Sequence, residues 1–484
     1  MKVFFSLISL IAPLLFLSSC VKVGDVYQGD STGTDSNTDS SITYSADDYL
    51  YPFGQEATNV TAEITIKLNE PISDIIETEV PALKYNKSLL FILTQDDCKQ
   101  AAYCCTWAAI NGKPLTNNYF YNSAQLKYGD LPPDSYSLGK TLGSTDGAGH
   151  EVRFSFTTTL LAEDASMNLT ATVQPNFTDN YYRFFMKSSL IWSNVREMLN
   201  YGVGIAFHDV DTPDVDDPSA IQSHYIIAQD SILSHLSNRG CKMLAEPNGN
   251  EEYIVAAQSY DPIQTLAAQK GEYGSLYPFK EESDLKNVVL KRLFADNPDS
   301  FKELVETVSE KPKQEREAIY AGVHLTTSTW ASFLEWLNDN YGQDGDDSLW
   351  FPSQEEYYEY TYYRVHGTQT LTKIDDNTLK LTVTLPSDQY FYYPSITVNL
   401  KGLDIANISS MTSTDAVTGL SYGTYDEGTM VNIDCRKFLV EHATHYVEKY
   451  EQDTTDASAK ADAIYFINML KESAQKTALL DRVN

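Results

Sequence analysis

Two adjacent carboxylates, Asp96 and Asp97, close the stretch Ser88–Cys98, which reads SLLFILTQDDC. The five apolar residues from Leu89 to Leu93, with Pro81 and Asn86 ahead of them and polar residues behind, predict a buried strand. In parallel α/β folds the carboxyl ends of strands are where ligands and chemistry collect. Neighbouring side chains at a strand end point in different directions, so one carboxylate can ligate a metal while the other serves as base. A solvated acidic pair opening a helix would read the same way, because acidic residues suit a helix N-terminus. Two histidines stand in comparable places. The apolar run ending at Phe207 delivers His208 and Asp209, and the run Glu317–Leu325 carries His324 near its end.

The elements that must position these groups follow a strand-helix order. Ser189–Tyr201 carries Ile191, Val195, Met198 and Leu199 at helical spacing and stops at Gly202. Ala220–Asn238 places Ile221, Tyr225, Ala228, Ile232 and Leu236 on one helix face, and the strand Cys241–Ala245 follows. Thr327–Tyr341 is amphipathic, and Ser353 and Glu356 are spaced as a capping box for the helix Gln354–Arg364. This recurrence over residues 86–367, with at least six repeats, predicts an α/β domain with a parallel sheet closed as a barrel. The period then falls to two, at Leu379, Leu381, Val383 and Leu385 and at Ile396, Val398 and Leu400, predicting a β-sandwich over 368–435. Two closing helices, Asp434–Tyr450 and Ala457–Ala474, are expected to make up the final region, 436–484, with His442 and His445 on the surface of the first. Val60–Leu68 alternates apolar and polar residues and predicts a strand in a separate N-terminal β element, 51–85.

The stretch TQDDC at 94–98 resembles the TFDDG-type first motif of the polysaccharide deacetylases, the NodB-homology family of carbohydrate esterases. The resemblance implies a distorted (β/α) barrel of the glycoside hydrolase/deacetylase type, with Asp96 as catalytic base and Asp97 as metal ligand. Gln95 and Cys98 replace the usual Phe and Gly. His208 fits the first histidine of the second motif, while Thr212 occupies the place of the second. Asp211 or His224 is then the candidate third ligand. Glu246-Pro247-Asn248-Gly249 resembles the third motif, with Ala245 where the family has an arginine orienting the catalytic Asp; Lys242 is the nearest substitute cation in sequence. His324 matches the histidine that acts as general acid on the leaving sugar oxygen or amine. Ser144–Gly149 followed by Val152–Phe156 resembles the TDGxGxxVxF stretch of a secreted, lipid-anchored subgroup, and Trp350 through Tyr360 resembles its WFxSxxEYYEY close. Asp146, Pro247, Asn248, Gly249 and Trp350 are therefore expected around the substrate or in the motif loops, although Ser144–Gly149 by its chemistry alone reads as a Gly-rich turn into a strand.

The implied activity is hydrolysis of N- or O-acetyl groups on a glycan with the help of one divalent ion, zinc or another first-row transition metal, since both accept mixed Asp and His ligation. Two other classes compete: a glycan-binding lipoprotein that keeps the barrel without the chemistry, and a glycoside hydrolase with two separated carboxylates. No G-x-S-x-G elbow, Walker loop or G-x-G-x-x-G follows a predicted strand, which excludes serine hydrolases, NTPases and Rossmann oxidoreductases.

Residues 1–19 carry one basic residue and an apolar run and end ahead of Cys20 as a lipobox, predicting a lipoprotein signal with lipid on Cys20 and a polar leash over 20–50. The expected location is the cell envelope, at a periplasmic face or the cell surface. Loss of the signal leaves 34 of the 35 basic residues against 67 acidic ones, a charge of −33. Such a surface disfavours nucleic acid and tolerates a neutral or amino-bearing glycan. Five cysteines remain, without metal-knuckle spacing, so at most two disulfides and no cysteine-metal site are expected.

Overall fold

The computed structural model describes residues 42–43, 49–72, 76–176, 184, 189–210 and 215–484. The expected signal segment, Cys20 and Asp211 lie outside the described residues. No described helix is long and apolar enough to cross a membrane.

Parallel pairing links Leu293–Phe294, Ile319–Val323, Leu89–Gln95, Thr157–Thr159 and Gly204–Ala206 in that order. A parallel bridge from Phe207 to Leu244 connects this path to a second parallel set, Met243–Ala245, Thr265–Ala268 and Val289–Lys291. Only Arg292 separates the last of these strands from Leu293, where the path began. Leu89, Phe91 and Leu93 join one hydrophobic cluster, which includes the surrounding helices, while Leu90 and Ile92 join another with Ala206, Met243, Ala245, Ala267, Leu290 and Tyr320. A strand buried on both faces explains why Leu89–Leu93 is a continuous apolar run.

Chain order does not separate the antiparallel part. Val60–Leu68 lies between Thr378–Leu385 and Ile408–Ser413, and Glu77–Glu79 edges the sheet formed by Gly419–Tyr425, Gly428–Asp434 and Ser395–Lys401. The strand assigned from sequence to its own N-terminal element is thus an inner strand of a C-terminal sheet. Ile64, Leu381, Val398 and Val431 bring both sheets into one cluster.

The C-terminal region has three helices, Leu439–Gln452, Ala457–Asn468 and Ala474–Val483, where two were expected. The break has a cause: the Lys471 amide donates to Thr418 O across to the sheet (2.9 Å), and Ser473 caps the next helix through Lys476 N (3.1 Å). His442 is also not on the surface. It is 2% exposed, donates from Nε2 to Asn200 O (3.0 Å) and accepts at Nδ1 from the Tyr49 hydroxyl (2.8 Å). The five described cysteines are buried and free.

Candidate active site

The alternation of side chains along each strand decides which strand-end residues meet. Leu90 and Ile92 face the inner cluster, and the same parity carries Thr94 and Asp96 inward at the end of that strand. Ala206 brings in His208, Leu290 brings in Arg292, and Tyr320 brings in His324 by the same count. Asp97 breaks the alternation. Its φ of +62°, followed by +51° at Cys98, turns the chain out of strand geometry and folds a second carboxylate over the same spot. This left-handed conformation is one that Asp tolerates better than most residues.

His208 sits between the two carboxylates. Its Nδ1 donates to Ala245 O at 2.7 Å, which aims Nε2 at the pair. Nε2 lies 3.4 Å from Asp97 Oδ1 and 3.8 Å from Asp96 Oδ2. Two ligands about 2.0 Å from one tetrahedral ion stand roughly 3.3 Å apart, so the Asp97 and His208 donor atoms have the spacing and chemistry for a shared zinc or similar ion. Among the described residues no third His, Cys, Asp or Glu completes such a set. Burial works to lower the His208 pKa, but the Asp96 charge and the Asp97 hydrogen bond carry it above its ordinary value. Burial opposes ionisation of Asp97, yet His208, Lys99 and His324 together hold its carboxyl well below the usual range.

The cation expected beside Asp96 is present, but it comes from the residue that follows another strand, Val289–Lys291. Arg292 Nη1 donates to Asp96 Oδ1 and to Thr94 Oγ1, each at 2.7 Å, and Nη2 donates to Glu246 O at 2.7 Å. Arg292 is 1% exposed and Asp96 2%. Ala245 therefore marks no missing charge: its side chain packs in the inner cluster and its carbonyl orients His208. Lys242 is no substitute, because it is committed elsewhere, to Glu359 (2.8 Å), Glu355 (3.3 Å) and Tyr390 O (2.8 Å).

A family model described as "putative polysaccharide deacetylase" matches residues 62–484. The chain belongs to the polysaccharide deacetylase family. No curated protein matches it.

The remaining candidate residues of this family member divide between the strand-end cluster and other roles. His324 Nε2 is 3.9 Å from Asp97 Oδ2 and its Nδ1 is 3.8 Å from Asp296 Oδ1, with the ring against Phe294 at 4.3 Å. Asp296 and Lys99, 3.4 Å from Asp97 Oδ2, were not singled out from sequence. His224 is not in the cluster, since its Nδ1 pairs with Glu163 at 2.7 Å. Asp146 belongs to a turn instead: Oδ2 meets His150 Nδ1 (2.9 Å) and the Ser421 hydroxyl (2.6 Å), and its carbonyl accepts from Asn432, tying this loop to the antiparallel sheet. Trp350 is buried between Tyr357 and Tyr360.

Pro247, Asn248 and Gly249 form the turn after Glu246. A left-handed φ at both Asn248 and Gly249 accounts for the glycine, against which the Lys270 side chain packs. Glu246 accepts from Gln269 N (2.9 Å) through Oε2, while Oε1 is buried with no partner. Burial raises its pKa.

Proposed function

We propose that this chain is a metal-dependent hydrolase that removes N- or O-acetyl groups from a glycan in the cell envelope, to which lipid on Cys20 would anchor it. The observation that carries the reading is the convergence of Asp96 and Asp97 on His208 Nε2, with Arg292 behind Asp96. The parallel strand path that returns from Val289–Lys291 to Leu293–Phe294 supports a distorted barrel as the scaffold.

In this reading Asp97 and His208 hold a divalent ion, which when bound polarises the acetyl carbonyl and makes water more acidic. Arg292 fixes Asp96 through Oδ1, leaving Oδ2 to take the proton from the attacking water. His324, half-exposed and backed by Asp296, gives its proton from Nε2 to the departing amine or alcohol. A glycan-binding role without chemistry is favoured by one feature only, the lack of a third ligand among the described residues.

The deciding experiment measures acetate release from acetylated chito-oligosaccharides and other acetylated glycans alongside metal content. Asp96→Asn should abolish release and keep the metal. Glycan binding by a wild type that releases no acetate from any of them would favour the binding protein.

A further inference from the structure

Gln95 stands where the resembling motif has Phe, and the structure gives this departure a use. The ladder between Leu89–Gln95 and Ile319–Val323 ends at Val323, whose carbonyl accepts from Asp96 N at 2.8 Å. Beyond that point the Gln95 side chain continues the connection. Its Nε2 donates to Thr326 Oγ1 at 3.1 Å and to His324 O at 3.4 Å, and its Oε1 accepts from the Thr106 hydroxyl at 2.8 Å. The carbonyl of His324 can only accept, which fixes the amide's orientation. Thr326 in turn gives its own proton to Ala101 O at 3.2 Å. Each hydroxyl hydrogen is then used once. Gln95, Thr106 and Thr326 are 0, 0 and 3% exposed, so water has no access to replace these bonds. Thr106 lies in a π-helical turn, Ala102–Trp107, which immediately follows the Asp pair's loop.

We propose that Gln95 is a positioning residue that sets the distance between the general acid and the metal-binding pair. Its backbone carries Asp96 and Asp97, and its side chain carries the peptide of His324. The inference rests on the deacetylase reading and goes beyond it, since the amide acts only through His324.

The test exploits leaving-group chemistry. An amide needs a proton on its departing nitrogen, whereas an aryl acetate expels a phenolate that needs little help. Gln95→Leu keeps the volume, and the Thr106 hydroxyl can turn to Thr326 Oγ1, 2.9 Å away, so the variant leaves no orphaned hydroxyl. Thr326→Val removes the shorter of the two bonds made by that Nε2 and so loosens the amide that holds the His324 peptide. Both variants should lower kcat on acetylated chito-oligosaccharide on the order of 10²-fold, with KM and metal content unchanged and aryl acetate hydrolysis within about 3-fold of wild type. Equal losses on both substrates, no loss on either, or a drop in metal content would overturn the inference while leaving the proposed activity standing. A wild type inactive on both substrates would overturn the proposed activity and this inference together.

Discussion

Arg292 Nη1 and Asp96 Oδ1 are 2.7 Å apart in a site where both side chains are almost fully buried. The positive charge that the third motif lacks at position 245 therefore reaches the candidate base from the strand that ends at Lys291. Arg292 bridges Thr94, Asp96 and Glu246 O with one planar group, so it fixes the orientation of Asp96 as well as its electrostatic surroundings.

Arg292→Met should leave Asp96 as a buried carboxylate without its cation. Removing one partner of such a pair costs about 3–5 kcal/mol of stability, and acetate release should fall on the order of 10²-fold. Arg292→Lys should recover stability better than activity, because an ammonium cannot span three acceptors in one plane. Denaturant unfolding and steady-state kinetics on the same preparations separate the two effects; equal recovery of both would contradict this role.

Ala245→Arg, which on the sequence alone would restore a missing cation, should instead destabilise the protein. Ala245 has no exposure and sits among Met243, Ala267 and Leu290, so the longer side chain overpacks the inner cluster by about 1–3 kcal/mol or more. A lower melting temperature without any gain in acetate release is the expected outcome.

Metal content should separate the two histidines proposed as ligands. Asp97→Ala and His208→Ala should each lose the ion, while His224→Gln should retain it, because His224 is paired with Glu163. Elemental analysis of purified variants reads this directly. Retention in both of the first two variants would remove Asp97 and His208 as ligands.

His442 predicts a pH dependence of stability. Burial, with Arg436 nearby, pushes its pKa well below the ordinary 6.5, so the folded chain keeps it neutral while the unfolded chain protonates. The unfolded state then binds more protons, and stability must fall as pH drops below about 6.5, by at most about 1.4 kcal/mol per pH unit. His442→Gln preserves a donor and an acceptor without titrating. Its unfolding free energy should fall less steeply than wild type between about pH 6.5 and 5.

What could be read in the sequence was whatever a single strand carries. The apolar runs announced Leu89–Gln95 and Gly204–Ala206 and put Asp96 and His208 at their ends. Contributions from distant strands had no local mark. Arg292 follows a short strand, Val289–Lys291, whose run Val288–Leu290 gave the only hint, an arginine two residues past a buried leucine. Lys242, the nearest candidate cation in sequence, points elsewhere for the opposite reason: nearness to Ala245 said nothing about Glu355 and Glu359 on the helix Gln354–His366. The turn at Asp146 was legible from its glycines, two of which have a left-handed φ, but its bonds to Ser421 and Asn432 come from strands some 275 residues away that leave no local mark. The three-helix ending depended on Lys471 reaching Thr418, a contact that period counting does not register.

The place of Val60–Leu68 inside a sheet whose other members begin at Thr368 bears on how the polypeptide is made. A strand synthesised among the first must wait, with two unsatisfied edges, for partners that leave the ribosome some 300 residues later. Pairings of that sequence separation fold slowly and leave hydrophobic edges open to aggregation in the interval. Cutting the chain after Gly367 would not release a free-standing α/β unit. It would strand Val60–Leu68 without either neighbour, and in a nascent chain both edges of that strand stay open until the last quarter of the sequence arrives.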